Sequence, residues 1–377
     1  MRILHIITSL NTGGAEIMLQ KLIRALKARP YNASVISLTS ISTIGAELQQ
    51  EAVPVQALGG RGGVLLPHQF WTLSRAYRSA RPDVVHSWMY HANVAAELLV
   101  RLTPGSVRPH LITSVRGAIH APQEQKRLTR LIRRIDASLS RTADRIIFNS
   151  SRSAEQHAAL GYDRDKFRVI PNSFDTDTFQ PLPSMRADIR QQLGYPDRLL
   201  VGLVARFHPL KGQRTFLEAA RLVAQRLPNC RFLLVGRGCD AQNELLMRWI
   251  RQLNLTDSVM PLGERRDVSA IDNALDIAVC ASLSESFPNA IGEAMACGVP
   301  CVVTDVGDCP FLIGDPRYVV PARDPQALAA AIFHLADLAP EARAALGASA
   351  RARVLREFST ERITGQFVEL YEECRGH

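Results

Sequence analysis

Glu285 and Glu293 stand eight positions apart in "SESFPNAIGEAMACGVP", residues 284–300, with Phe287, Pro288 and Asn289 between them. Upstream, "LDIAVCAS" is a short apolar run that reads as a buried strand. Downstream, Ala290, Ile291, Ala294 and Met295 recur at helical spacing, and Gly298 and Pro300 supply a normal helix stop. The stretch is therefore strand, tight loop, helix. Glu285 falls in the loop at the strand's carboxyl end and Glu293 about one turn into the helix. Both positions can face the crevice in which open α/β folds bind ligands. A carboxylate can accept two hydrogen bonds from a vicinal diol. A helix N-terminus suits a phosphate. A phosphate with a sugar on each side is a nucleotide sugar. The competing reading makes Glu285 a solvated loop residue and Glu293 a first-turn glutamate that favours the helix dipole. Both readings stand on this stretch alone.

The elements that must position such a site alternate along the whole chain. "RILHIIT" reads as an N-terminal strand, broken by Gly13 and Gly14 and followed by the amphipathic helix "AEIMLQKLIRALKA". "ASVISL", "DVVHS", "HLITSV" and "DRIIFNS" are further strands of the first half. "FRVIPNSFDTDTF" ends in turn residues and reads, with "QPLPSM", as an interdomain link. The second half repeats the theme in "LLVGLVA", "RFLLVG", "SVMPLG", "LDIAVCA", "PCVVTD" and "YVV", with "RTFLEAARLVAQRL" among the helices between them. The expectation is α/β, with two parallel sheets facing across a cleft. The domains expected are 1–175 and 176–357, with a C-terminal helix, 358–377, crossing back to the first.

Composition narrows the function classes. A chain of 377 residues suits two domains, and 46% hydrophobic with 21% charged residues is a globular balance. No run is apolar enough to span a bilayer, and the first residues lack a signal-peptide pattern. Seven scattered cysteines, with Cys297 and Cys301 four apart but no second pair or histidine cluster, read as reduced cytosolic thiols without structural zinc. Residues 1–175 hold 23 Lys and Arg against 12 Asp and Glu, whereas residues 176–377 hold 22 against 24. A basic half beside a near-neutral half points to an anionic partner: nucleic acid, anionic lipid or a diphosphate.

Taken together, several segments resemble one family. Gly13-Gly14-Ala15-Glu16 after the first strand, "IPNSFDTDTF" at the link, "ARFHPLKG", "LLVGRG" and the paired glutamates of "ESFPNAIGEAMACGVP" occur in the order and spacing of the retaining glycosyltransferases of family 4, which have the GT-B fold of two Rossmann-like domains. "DVVHSWMYHAN" and "TSVRG" look most like bacterial surface-polysaccharide enzymes that add N-acetylhexosamine to a polyprenyl-diphosphate glycan. The resemblance implies a nucleotide diphosphate sugar as donor, uridine-linked. It implies that Arg206 and Lys211 hold the donor diphosphate, a role that a guanidinium fork and an ammonium suit. Glu293 resembles the glutamate that accepts from the ribose hydroxyls, and Glu285 the one facing the transferred sugar. Amides around Phe287, Pro288 and Asn289 would line the sugar and phosphate. Gly13 and Gly14 would let the backbone approach donor or acceptor, and Gly236, Arg237 and Glu264 fall where the base pocket forms. His86 would face the acceptor. Arg116 stands where many members carry a histidine, and an arginine cannot act there as a neutral base.

"DRD" at 163–165 and "DTD" at 175–177 look like the D-x-D metal motif of other glycosyltransferases, but Asp commonly caps turns, so no metal and no cofactor is expected. In "QEQKRLTRLIRRIDASLSRTADR", residues 123–145, Leu128, Leu131, Ile132, Ile135 and Leu139 form a helical stripe. Lys126, Arg127, Arg130, Arg133, Arg134 and Arg141 surround it. This segment is expected to meet an anionic membrane, bringing a peripheral, cytoplasmic enzyme to a lipid-linked glycan acceptor. The alternatives are a nucleotide-sugar epimerase on a similar frame and a non-enzymatic nucleic-acid binder, for which no binding module is visible.

Overall fold

The computed structural model describes residues 1–105, 108–119 and 127–375. It divides into two compact units, one of Met1–Ser173 with the chain from Glu361 onward, the other Phe174–Thr360. The first unit contains seven parallel strands: β1 (Arg2–Ile7), β2 (Asn32–Ser37), β3 (Val55–Ala57), β4 (Val84–Trp88), β5 (His110–Val115), β6 (Arg145–Phe148) and β7 (Phe167–Val169). Their spatial order is β3-β2-β1-β4-β5-β6-β7. The second unit has six: β8 (Leu199–Val204), β9 (Cys230–Val235), β10 (Val259–Gly263), β11 (Ile277–Cys280), β12 (Cys301–Thr304) and β13 (Val319–Val320), ordered β10-β9-β8-β11-β12-β13. Both sheets run outward from their first strand and then reverse. The reversal lies between β1 and β4 in one unit and between β8 and β11 in the other, the doubly wound Rossmann pattern.

The strands read as near-continuous apolar runs because helices cover both faces of a parallel sheet. In the second unit, Leu203, Phe232, Leu234, Ile277 and Val302 pack with Phe216 and Leu217 of the helix Gln213–Arg226. On the other face, Leu200, Leu233 and Val303 pack with Ile291 and Met295 of the helix Asn289–Ala296. In the first unit, Ile363, Phe367 and Tyr371 of the C-terminal helix Thr360–Arg375 join Ile3, Ile7, Trp88 and Ile112 in one core. That helix is thus part of the first unit's sandwich.

Two elements differ from the pattern expected. β3 is a three-residue strand and β7 lies inside the stretch read as a link. Neither has a fully buried residue, so neither carries a strong apolar signature.

Candidate functional site

In the second unit the loops after β8 and β11 stand side by side at the carboxyl edge, at the strand-order reversal. A single turn, Pro209–Lys211, follows β8, and His208 Nδ1 accepts the Leu210 N–H at its start. This turn delivers Lys211, whose Nζ lies 2.5 Å from Glu285 Oε1. Ser282 donates to the same carboxylate oxygen over 2.8 Å. The two charged side chains retain 26% and 13% of their exposure, so the pair is sheltered but open to a ligand. Burial works against the Lys211 ammonium, but the Glu285 carboxylate outweighs it and holds the ammonium above its ordinary pKa. Arg206 is exposed at the start of the same loop, and its carbonyl accepts from Gln213 Nε2 at 2.8 Å.

Backbone packing holds these loops in place. Gly236, just past β9, has φ +135°, and a Cβ there would meet the Ala205 carbonyl oxygen at 2.4 Å. Its N–H donates to Gly263 O, and Phe207 N–H donates to Arg237 O, which zips the loop of β9 to that of β8. Arg237 and Glu264 are exposed on this rim. From the other side, Thr304 Oγ1 donates to Ser282 O at 2.7 Å, and Asp308 N–H to Ser286 O at 3.0 Å. Gly307, with φ +51°, sits so close that a Cβ would meet the Glu285 carbonyl at 2.2 Å. Ser282, Thr304 and Gly307 escaped the sequence reading. Thr304 and Gly307 lie in the strand-to-turn run "VVTDVGD", and Ser282 closes the apolar run "LDIAVCAS".

Glu293 lies half-buried on the helix Asn289–Ala296, for which Pro288 is the N-cap residue. Asn289 is its first residue. The Phe287 side chain is 5% exposed and packs with Phe174 and Phe358, ring centroids 6.2 and 5.7 Å away. The ring therefore belongs to the core, and only the Phe287 backbone can line a site. Asp272 is fully buried with no hydrogen-bond partner on either carboxyl oxygen. Burial, and then the nearby Glu293 charge, push its carboxyl well above the ordinary range.

In the first unit, Gly13 is the N-cap residue of the helix Gly14–Lys27, in extended conformation. The Glu16 carboxylate folds back beside it and accepts from Ser9 Oγ at 3.0 Å. Burial raises the Glu16 carboxyl despite those bonds. The two residues expected on the acceptor side lie in the interior instead. His86 is fully buried in mid-β4, with Nδ1 2.7 Å from Tyr371 Oη and Nε2 2.7 Å from Ser114 Oγ. Burial first, and then His5 and Arg116, hold it neutral. Arg116 is 8% exposed and folds inward over Trp88 and Phe367. Its guanidinium donates to Asn172 Oδ1 and to the Ile170 and Pro171 carbonyls, so it braces the segment leaving the sheet. Burial lowers its pKa to about 9.

The basic segment also divides. In the helix Arg127–Leu139, Leu128, Leu131 and Ile135 are exposed, as are Arg127 and Arg134, while Arg130 is half-buried. Arg133 is only 8% exposed and points into the unit, so it is not a surface residue. Lys126 lies outside the described residues. Asp175 accepts from the Asp177 and Thr178 N–H groups and from Thr178 Oγ1, a turn cap. Among the described residues no group of three His, Cys, Asp or Glu is placed to hold a metal. Among them, too, no helix is long and apolar enough to cross a membrane.

With this geometry, two family models match the chain in succession: "Glycosyltransferase Family 4" over residues 12–178 and "Glycosyl transferases group 1" over 198–337. The D-inositol 3-phosphate glycosyltransferase of Mycolicibacterium smegmatis is 34% identical over 46% of this chain and 40% of its own length. The UDP-Gal:alpha-D-GlcNAc-diphosphoundecaprenol alpha-1,3-galactosyltransferase of Escherichia coli is 27% identical over 62% of this chain and 61% of its own. The match thus spans less than two thirds of these relatives. The solved structure of Anabaena Alr3699/HepE in complex with UDP superposes with a TM-score of 0.87 at 25% identity, covering 99% of this chain and all of that one. The matched models, one over most of each unit, and these likenesses make the chain a member of family 4 of the glycosyltransferases, with the GT-B fold.

Proposed function

We propose that this chain transfers a hexose or N-acetylhexosamine from a uridine diphosphate sugar to a lipid-linked diphosphate glycan, with retention and without a metal. The observation that carries the reading is the Lys211–Glu285 pair at the strand-order reversal, with Arg206 exposed beside it. A bound donor diphosphate would draw the Lys211 ammonium and the Arg206 fork to its oxygens. Their charge would stabilise the leaving nucleoside diphosphate more than the ground state. Glu285, released from the lysine, would then face the transferred sugar, and Glu293 the ribose hydroxyls. In this role Glu285 orients the sugar; the leaving phosphate takes the acceptor proton.

Two likenesses support the donor and acceptor classes. Anabaena Alr3699/HepE has been solved with UDP, with UDP and glucose, and with UDP-glucose. The E. coli relative's name specifies a UDP-sugar donor and a diphosphoundecaprenol acceptor. For the membrane face, Leu128, Leu131 and Ile135 combine with Arg127 and Arg134 on the exposed side of one helix, the composition of an interfacial helix on anionic lipid.

The test is a thermal-shift screen of nucleotide sugars followed by turnover with lipid-diphosphate acceptors. A donor at about 100 times its dissociation constant adds about 2.7 kcal/mol of stability. Stabilisation by uridine diphosphate sugars, with nucleotide release that depends on the lipid-linked acceptor, is the expected result. Stabilisation by nicotinamide dinucleotides alone, or sugar conversion without acceptor, would overturn the reading.

A further inference from the structure

We propose that the first unit carries a second anion-binding pocket, for a polyphosphate or a phosphorylated headgroup, at the edge of its sheet opposite the loops considered above. Two adjoining cavities of about 680 and 540 Å³ open there and share Thr103 and Arg108. The larger is lined by Arg2, Arg78, Arg81 and Arg108, the smaller by Arg101, Arg108 and Arg141. Asp83 is the one carboxylate among the described lining residues, and it is already paired with Arg2 at 3.0 Å.

The location follows from the strands. Arg81 precedes β4, Arg108 precedes β5, Arg141 precedes β6 and Arg2 opens β1, so the pocket lies at the amino ends of these strands. Ligand loops of an open α/β sheet lie at the carboxyl ends. A five-residue strand such as β4 separates the two edges by roughly 16 Å.

Arginines near helix C-termini have an ordinary explanation, since they offset the dipole. It covers Arg78 and Arg101, in the last turns of Pro67–Ala80 and Tyr90–Arg101. It extends to Arg81, the C-cap residue of Pro67–Ala80, but not to Arg2, which opens β1, or Arg108, which precedes β5. Six arginines and one carboxylate line the joined lobes, and although Arg78 and Arg108 also donate to the Ser74 and Thr142 carbonyls, the surplus of positive charge favours a ligand with several negative charges. Guanidinium forks match phosphate oxygens bidentately, and Thr142 and Ser138 add hydroxyls. Two joined lobes of this size exceed the needs of a single phosphate and fit a chain of phosphates or a phosphate with its ester group.

The test is calorimetric titration with inorganic tripolyphosphate in excess UDP, so that the second unit's candidate site is occupied. Wild-type protein should bind, more weakly as salt is raised. Arg81→Gln with Arg141→Gln should weaken that binding by roughly tenfold or more while leaving UDP binding unchanged. The Arg81→Lys, Arg141→Lys pair, which keeps the charge without the fork, should fall between them. No heat from the wild type, or equal affinity in the Gln variant, would overturn the pocket. Displacement of tripolyphosphate by phosphatidylglycerol vesicles, but not by phosphatidylcholine vesicles, assigns it to a lipid headgroup. Retention against both assigns it to free phosphate compounds.

Discussion

The two units share a strand order but present their reversal edges differently. In the second, charged side chains stand on loops past the strand ends, where Lys211 and Glu285 meet and Arg206 is exposed. In the first, the polar residues that looked equivalent are interior: His86 is a mid-strand residue of β4, and Arg116 turns back beneath the rings of Trp88 and Phe367. Sheet topology sets where a ligand edge lies, but only a residue beyond the last ladder position is free to reach it. A residue within the ladder of a doubly covered sheet points into a core on either face. The outer surfaces differ as well. Among the described residues, ten of thirteen exposed large hydrophobics belong to the first unit, which also holds the charge excess.

The strongest way to break this contrast is to truncate His86. His86→Ala should cost about 3 kcal/mol, because it opens a cavity and strands the partners Tyr371 Oη and Ser114 Oγ. Chemical denaturation measures the loss. UDP affinity in the folded fraction should not change, and a destabilisation near zero with lost acceptor turnover would return His86 to the acceptor side.

Lys211→Ala probes the other half of the comparison. Turnover should fall by about 2.7 kcal/mol in barrier, on the order of a hundredfold, with the circular dichroism spectrum intact. Unchanged turnover would make the lysine a mere surface partner of Glu285.

Asp272 tests whether the second unit's charge is truly confined to its rim. Its folded pKa lies well above the unfolded value, so the buried acid destabilises progressively as pH rises above about 4 and until the folded pKa is reached. The Asp272→Asn variant removes that titration. The stability of wild type relative to the variant should decline by up to about 1.4 kcal/mol per pH unit over that range. Denaturation at several pH values between acid and neutral reads it, and parallel curves would mean that Asp272 is solvated or paired.

The two glutamates should separate by kinetic signature. Glu293→Gln should weaken UDP binding roughly tenfold, about 1.4 kcal/mol, because the proposed ribose contact would serve ground and transition states alike. Glu285→Gln should spare UDP binding and lower turnover. The opposite pattern in calorimetry would exchange their roles.

Specific to the first unit is the effect of Arg127→Glu with Arg134→Glu. Each basic residue near an anionic surface contributes roughly 1 kcal/mol. Sedimentation with anionic vesicles should fall while UDP affinity stays constant. Arg133→Glu, by contrast, should unfold the helix's inner face. Equal vesicle binding by wild type and the double variant would remove this helix from the interface.

Much of this molecule was legible from local pattern. Eleven of the thirteen strands among the described residues announce themselves as apolar runs, because a doubly covered parallel strand must be apolar on both faces. The turn residues between them divide the chain, and the loops carrying Arg206, Lys211 and Glu285 follow strand ends that can be read directly. Short edge strands such as β3 and β7 escape, since half-buried triplets leave no periodic trace.

What the linear pattern could not decide was which way a side chain faces once neighbours arrive. Phe287 sits inside the loop motif, yet its ring is claimed by Phe174 and Phe358, far away in sequence. Arg133 belongs to a basic run, yet helical geometry turns that one position inward while Leu128 and Leu131 remain outside. Gly307 looks like an ordinary turn glycine until the Glu285 carbonyl arrives against it. Pattern and spacing fix the elements because those depend on residues a few positions apart. Burial, pairing and pKa depend on residues brought together by the packed sheet, so only the tertiary structure could assign them.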